Sequence, residues 1–323
     1  MAEQIYSVKH LKKYYQVNKS IRLSEIKYVH AVDDMSFDIY KGQIFGVVGE
    51  SGSGKSTVGR CILKLIDSTD GQIVYKGEDI TGYTRKQMKS FRRDMQMVFQ
   101  NPFSSFNPRL SIGSSLKEIG HVYKMGVKET DDRIKELLDL IKLPSHVLDR
   151  GAGELSGGQL QRLAVARALM LNPTFIMADE PVSALDVSVQ SQILNLLLDL
   201  RDQLDLTIMF ISHELTVVHH VCDAVAVMYL GALVELAPAD ELFRNTLHPY
   251  SQALISAKPK DHPREQKERI VLEGDIPNAI DIPKGCRFAT RCPNFIHGEC
   301  NMVAPMLEEV APGHFVACHM INH

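Results

Sequence analysis

No stretch of this sequence stays apolar for long enough to cross a bilayer. The most apolar one, 224–237, is short and is interrupted by Gly231 and Glu235. No membrane-spanning helix is therefore expected, and any service to a membrane must come from docking onto other subunits. The opening residues, Met1-Ala2-Glu3-Gln4-Ile5-Tyr6-Ser7-Val8-Lys9-His10, lack a cationic start followed by an apolar stretch. No secretory signal is expected, and a cytosolic chain follows. Neither sign of charge dominates. The 36 Lys and Arg against 39 Asp and Glu leave a net charge of −3, so nothing global points to nucleic acid. Internal repeats are missing too. At 323 residues, 45% hydrophobic and 23% charged, the composition argues against disorder and allows one large domain plus a smaller one, or two ordinary domains.

Apolar runs and breakers outline an α/β chain. Residues 43–48 read as a buried strand feeding a glycine-rich turn, and 55–66 as the helix after it. Strands are expected at 71–75, 95–99, 175–178 and 206–212, the 175–178 run being continuously apolar as in a parallel sheet covered on both faces. Residues 101–108 are a loop by their Asn, Ser and Pro content. The stretch 116–143 looks mostly helical, as do 157–171 and 187–204. Cys61 and Cys222 lie in apolar contexts and are expected to be buried thiols. Beyond His248-Pro249-Tyr250 the texture changes. Residues 258–269 are charged, hold two prolines and read as a linker, and 285–323 are rich in Cys, Pro and His with few periodic apolar positions. That last segment reads as a small appended unit held by something other than a large core.

The chemistry begins at Gly49-Glu50-Ser51-Gly52-Ser53-Gly54-Lys55-Ser56-Thr57, which fits G-x-x-x-x-G-K-S without a mismatch. Glycines there let successive backbone amides face phosphate oxygens, and the following helix adds the positive end of its dipole. Lys55 neutralises the β- and γ-phosphates, and Ser56 offers a hydroxyl to Mg²⁺. The strand 175–178 ends in paired acids. Asp179 can hold Mg²⁺ through water, and Glu180 stands one residue on, where it can orient or deprotonate an attacking water. Gln100 follows a strand, so its amide can touch the metal or its water and report occupancy to the next segment. His213 ends the last of these strands and can reach a γ-phosphate as a neutral donor and acceptor.

A second glycine motif, Leu155-Ser156-Gly157-Gly158-Gln159, opens a helix, so free amides and a hydroxyl face outward as another anion site. It matches the signature of the ATP-binding cassette (ABC) ATPases in every position. From about Tyr6 to Ala257 the chain resembles that family. The resemblance implies an α/β fold, a P-loop NTPase (RecA-like) parallel sheet core at 1–257, a helical subdomain at about 101–170, and a small Cys-rich extension at 258–323. It implies that Gln100 is the Q-loop, Ser183-Ala184-Leu185-Asp186 the D-loop and His213 the switch histidine. Tyr15 becomes the adenine-stacking ring, with Tyr14 as competitor. It implies too that two ATP molecules are sandwiched between two cassettes, each gripped by the signature of the other.

Three features resemble the oligopeptide and dipeptide importers. They are Phe99-Gln100-Asn101-Pro102-Phe103-Ser104-Ser105-Phe106-Asn107-Pro108-Arg109, Glu180-Pro181-Val182-Ser183-Ala184-Leu185-Asp186-Val187-Ser188-Val189-Gln190, and His248-Pro249-Tyr250 followed by the cysteine tail. The resemblance is to the second, "F" type ATPase of that pair. It implies a paralogous ATPase partner in a heterodimer, two transmembrane permease subunits, an extracytoplasmic peptide-binding protein, and a peripheral place on the cytoplasmic face of the membrane. Import of nickel or another small solute is the alternative. Two departures stand out. Arg150-Gly151-Ala152-Gly153 carries two glycines that are expected to loosen the approach to the signature. Glu214 follows the switch histidine where Asp, the better helix cap, is usual.

Cys286, Cys292, Cys300 and Cys318 crowd into the tail. Four thiols in a core-poor cytosolic segment suggest a metal over disulfides, either Zn²⁺ or a [4Fe–4S] cluster. The spacing is not the C-x-x-C pairing of zinc ribbons, and peptide-importer ATPases with this tail resemble iron–sulfur proteins, so the cluster is favoured. Its role would be a staple for a segment that burial alone does not fold.

Overall fold

The computed structural model describes residues 3–18, 26–257, 270–275 and 277–322. The linker expected at 258–269 lies outside the described residues. Compactness divides the chain into two units, Met1–Gly82 with Ser212–His323, and Tyr83–Ile211. These limits do not coincide with the boundaries read from sequence texture.

In the first unit, strands β1 (Gln4–Gln16), β2 (Tyr28–Tyr40), β4 (Asp70–Tyr75) and β5 (Glu78–Asp79) form an antiparallel sheet in the order β2-β1-β4-β5. Its inner face is closed by rings such as Tyr6 and Tyr75, 4.8 Å apart. Strand β3 (Ile44–Val48), buried at every residue, pairs parallel with β9 (Ala224–Tyr229). Its Val-Ile-Phe content suits a strand covered on both faces. Helix α1 (Lys55–Ile62) stops short of the expected end. Lys64 turns left-handed, and its ammonium donates to the Thr81 carbonyl at 2.7 Å and to Asp67 at 2.9 Å, drawing the chain out of helical register. Cys61 and Cys222 are buried as expected.

The cysteine-rich segment is not held apart. Strand β10 (Ala232–Pro238) pairs with β9 on one edge and with β12 (His314–Val316) on the other, and β11 (Glu308–Ala311) follows outside it. The tail thus extends a sheet whose core already exists. A buried polar knot fixes it. Glu235, wholly buried, accepts from the Leu247 amide at 2.8 Å, the His248 amide at 3.1 Å and His314 Nε2 at 2.9 Å. Beyond helix α7 (Ala239–Arg244), His248 in turn caps helix α8 (Pro249–Ser256) by accepting from the Tyr250 amide.

In the second unit, β6 (Met95–Val98), β7 (Phe175–Asp179) and β8 (Thr207–Ser212) run parallel. The helical stretch expected at 116–143 is two helices, α2 (Ile112–Val122) and α3 (Val127–Leu140). Lys124 is left-handed there, and Glu129 reaches back to the Gly126 amide to start α3 afresh. Helix α4 (Gly157–Leu169) ends on the buried Arg133 guanidinium, which donates to the Leu169 carbonyl at 2.7 Å. Helix α5 (Val187–Leu204) has the limits expected of it. Among the described residues no helix is long and apolar enough to cross a membrane.

Candidate functional site

The glycine-rich loop leaves β3 and turns into α1 at Lys55. Gly54 is left-handed, and a Cβ there would lie 1.9 Å from the Ala31 carbonyl oxygen, so glycine alone lets the loop lie against β2. Lys55 is buried. Its ammonium donates to the carbonyls of Gly49 at 2.7 Å and Glu50 at 2.9 Å, which folds the loop around the cation. Gly49, Glu50, Ser51, Gly52, Ser53, Ser56 and Thr57 complete this one loop and first turn. The Ser53 carbonyl accepts from the Gly231 amide at 2.9 Å, tying the loop to the β9–β10 turn.

Two residues that the sequence did not connect with this loop also hold it. The Glu50 amide donates to the Tyr250 hydroxyl at 2.9 Å, and the Glu50 carboxylate takes a two-pronged bond from Arg291. Each partner lies some two hundred residues or more along the chain. Contacts of that span leave no periodic trace in a sequence, so no local signal marks them.

The two candidate stacking tyrosines are sorted by their surroundings. Tyr14 donates its hydroxyl to Asp33 and packs its ring 4.2 Å from His30. Burial and that bond push its ionisation well above the usual range. Burial alone would raise the Asp33 carboxyl, but the Tyr14 hydroxyl and the Arg287 guanidinium together hold it below its ordinary value. Tyr15 is 41% exposed, with the Lys13 ammonium 5.0 Å from its ring centre. Tyr15 is the more exposed of the two rings. His213 is exposed just before helix α6 (Leu215–Val221), and Glu214 makes no side-chain cap on that helix, as its length suggests.

In the second unit, β7 delivers the paired acids. Asp179 is buried at the strand end. Glu180 is left-handed, a conformation that costs a non-glycine residue about 1–3 kcal/mol. Its amide is held by the Ile211 carbonyl at 2.9 Å, and its carboxylate accepts from Gln100 Nε2 at 2.9 Å. Gln100 and Glu180, read separately from the sequence, therefore meet directly. Asp186 opens α5, with its carbonyl accepting from the Val189 and Gln190 amides. In the signature, Leu155 is buried while Ser156 and Gly157 are exposed. Ser156 and Gln159 form a reciprocal capping box, 3.3 and 3.1 Å, which leaves the first amides of α4 without helical partners. A Cβ on Gly158 would sit 2.4 Å from Val189 Cγ1, so glycine is what lets α4 start against α5.

The expected looseness before the signature is not found. Glu154 accepts from the Gly151 amide at 2.6 Å, the Glu154 amide donates to the Gly151 carbonyl, and Ala152 is buried between them. A capping acid has removed the freedom that the two glycines offer.

Taken each in its own unit, the Ser56 hydroxyl of the first and the Asp179 carboxylate and Gln100 amide oxygen of the second are hard donors of the kind Mg²⁺ takes. The cysteines fit a metal in chemistry but not in placement. Cys286, Cys292 and Cys318 each accept a backbone N–H bond, from Phe288, Asn294 and Met320. All three thiols are pushed up by burial, Cys286 to about 11. Yet among the described residues no three His, Cys, Asp or Glu side chains are gathered as a metal site. The expected [4Fe–4S] or Zn²⁺ centre has no support from this geometry.

Comparison with known proteins agrees with the motifs. Residues 32–183 match the family described as ABC transporter, and residues 234–300 match the oligopeptide/dipeptide transporter C-terminal region. A putative peptide import ATP-binding protein of Brucella ovis is 47% identical over 315 residues, 97% of each chain. The oligopeptide transport ATP-binding protein AppF of Bacillus subtilis is 46% identical, over 99% of this chain and 98% of that one. Among solved structures, an ATP-binding cassette dimer in a post-hydrolysis state with ADP and Pi aligns with a TM-score of 0.64 at 27% identity, covering 73% of this chain and 99% of that one. CbiO1 of Clostridium perfringens, part of a cbiONQ transporter complex, aligns with a TM-score of 0.65 at 26% identity, covering 75% and 92%. With the phosphate loop, the paired acids and the signature all in place, the chain belongs to the ABC transporter ATPases that carry the oligopeptide/dipeptide C-terminal region.

Proposed function

We propose that this chain hydrolyses ATP to drive peptide import, as one half of an ATP-sandwich dimer. The observation that carries the proposal is the Glu180 carboxylate at the end of β7, next to the buried Asp179 and accepting from Gln100 Nε2 at 2.9 Å. Glu180 acts as the general base toward the attacking water. Lys55, Gln100 and His213 stabilise the transferring phosphoryl group. The loop amides of Gly49 to Thr57 bind the phosphates, Tyr15 stacks on the adenine, and Leu155 to Gln159 grip the nucleotide of the other subunit, beside Asp186. Ser56, Gln100 and Asp179 would hold Mg²⁺, which when bound neutralises charge on the β- and γ-oxygens.

The names of the relatives speak for peptides over nickel or another small solute. The partners that follow are two permease subunits, an extracytoplasmic peptide-binding protein and a paralogous ATPase, with this chain peripheral on the cytoplasmic face and no nucleic acid involved. The division into an ABC core at 1–257, with its helical part at about 101–170, and an extension at 258–323 belongs to the same reading. For the four tail cysteines the narrower proposal is a [4Fe–4S] cluster, with Zn²⁺ as the alternative. The reading rests on donor chemistry, four thiols within one short segment, of which Cys286, Cys292 and Cys318 accept backbone N–H bonds at sulfur. Iron, sulfide and zinc analysis of anaerobically purified protein tests it, and protein free of all three ends it.

The catalytic assignment is tested by Glu180→Gln in the assembled transporter. ATP hydrolysis falls by about 10²–10⁴ while ATP binding persists. Near-normal turnover refutes the role.

A further inference from the structure

The tail segment between Cys286 and Cys292 reaches the phosphate loop itself. Arg291 Nη1 stands 2.9 Å from Glu50 Oε2, and Nη2 stands 3.1 Å from Glu50 Oε1. Only 8% of the Arg291 side chain is exposed, against 25% for Glu50. A buried guanidinium is costly unless paired, and a two-pronged pair with a carboxylate fixes orientation as well as charge. The fork is aimed by packing. Arg291 lies over the Tyr229 ring, 5.9 Å from its centre, and also donates to the Tyr229 hydroxyl at 3.4 Å. Phe288, one turn earlier, is 1% exposed and packs against Tyr229 and Tyr250, at 5.3 and 5.4 Å. Tyr250 accepts from the Glu50 amide. Arg287 bonds to Asp33 and to the Leu230 carbonyl, next to Gly231, whose amide holds Ser53. The segment therefore grips the loop twice, at Glu50 and through the β9–β10 turn at Ser53.

The charge argument is direct. Glu50 sits second in a loop shaped for anionic phosphates. Left unpaired, its carboxylate opposes them and is free to swing the loop. Paired, it becomes the handle by which the tail sets the loop.

We propose that Arg291 is a positioning residue for the nucleotide, acting through Glu50 to fix the shape of the phosphate loop and neutralise the one carboxylate in it. The inference rests on the reading that residues 49–57 hold the phosphates. Binding of N-methylanthraniloyl-ATP to the full-length chain tests it. Arg291→Ala raises Kd about tenfold. Arg291→Lys keeps a charge but no fork and raises it about threefold. In a Glu50→Ala background, Arg291→Ala changes Kd less than about twofold, because the group it acts through is gone. A purely structural arginine lowers the melting temperature and leaves these ratios near one, and that result overturns the proposal. So does a tenfold loss that survives in the Glu50→Ala background. If Arg291→Ala does not fold, the Arg291→Lys and Glu50→Gln cycle decides by the same non-additivity. Lys55→Ala separates the two readings. Undiminished binding in that variant sinks the nucleotide site itself, whereas lost binding there beside an indifferent Arg291→Ala sinks only the latch.

Discussion

Replacing Glu235 should release the tail before it harms anything else. The carboxylate is wholly buried and accepts three bonds, from the Leu247 and His248 amides and from His314 Nε2. These donors come from the entry to α8 and from β12, so one side chain on β10 joins three segments. Glu235→Ala strands two backbone N–H groups and a ring nitrogen. Each orphaned buried group costs about 1–3 kcal/mol, and a water entering the gap recovers part of that, which leaves about 4 kcal/mol. Glu235→Gln keeps one acceptor but turns an NH₂ group toward donors, for about half the loss. The load falls on the pairing of β12 with β10, where Glu235 faces Val316 and Leu236 faces Phe315. Hydrogen exchange read by mass spectrometry is the assay. Amides at 308–317 should lose about 10²–10³ in protection in the Ala variant, since each factor of ten is about 1.4 kcal/mol, while the β6–β8 amides keep theirs. Unchanged protection in the hairpin, or a uniform loss across the chain, refutes the argument that this knot is what fastens the tail.

Two further outcomes follow from single side chains. Tyr15→Ala should weaken ATP binding by about 1–3 kcal/mol, the worth of a base on an aromatic ring, while Tyr14→Phe leaves it within about twofold; isothermal titration giving the reverse order would make Tyr14 the stacking ring. His248 is buried, and that burial lowers its ionisation to about 3 from an ordinary 6.5. Its folded pKa is depressed, so the stabilisation is complete above about 6.5 and drains as pH falls toward 3, at no more than about 1.4 kcal/mol per pH unit for one proton. Melting temperature between pH 6.5 and 4.5 should fall less steeply in His248→Asn, whose side-chain oxygen can still accept from the Tyr250 amide; equal slopes would remove His248 from the account of acid sensitivity.

Where the sequence was readable, a local physical rule governed the outcome. Strands β3 and β7 are buried at every position, and continuous apolar runs announce that. Helix α5 begins after Asp186 and ends at a left-handed Asp205, so its limits are marked at both ends. The phosphate loop, the paired acids and the signature carry their chemistry in adjacent residues. Legibility failed where a side chain reached out of its own segment. Lys64 ends α1 through a bond to Thr81, and Glu154 stiffens a glycine pair that composition alone marks as loose. The Gln100 to Glu180 bond joins two motifs that the sequence shows only separately.

The tail makes the same point with more at stake. By composition it has too little apolar content to fold by burial, which made a metal staple the natural inference. The structure supplies a different answer, because the tail borrows a core it does not own. Phe288 fills a niche between Tyr229 and Tyr250, and burying such a ring is worth about 1.5–3 kcal/mol. Val316 and the imidazole of His314 are buried on the strand paired with β10, and Arg287 and Arg291 are neutralised by Asp33 and Glu50. None of these contacts calls on a sulfur atom. Holding the tail is thus a task that the ring cluster, the Glu235 knot and the two arginines already discharge. Any ligand that the four thiols take acts on a segment already docked, and through Arg291 that segment touches the loop where the phosphates are read.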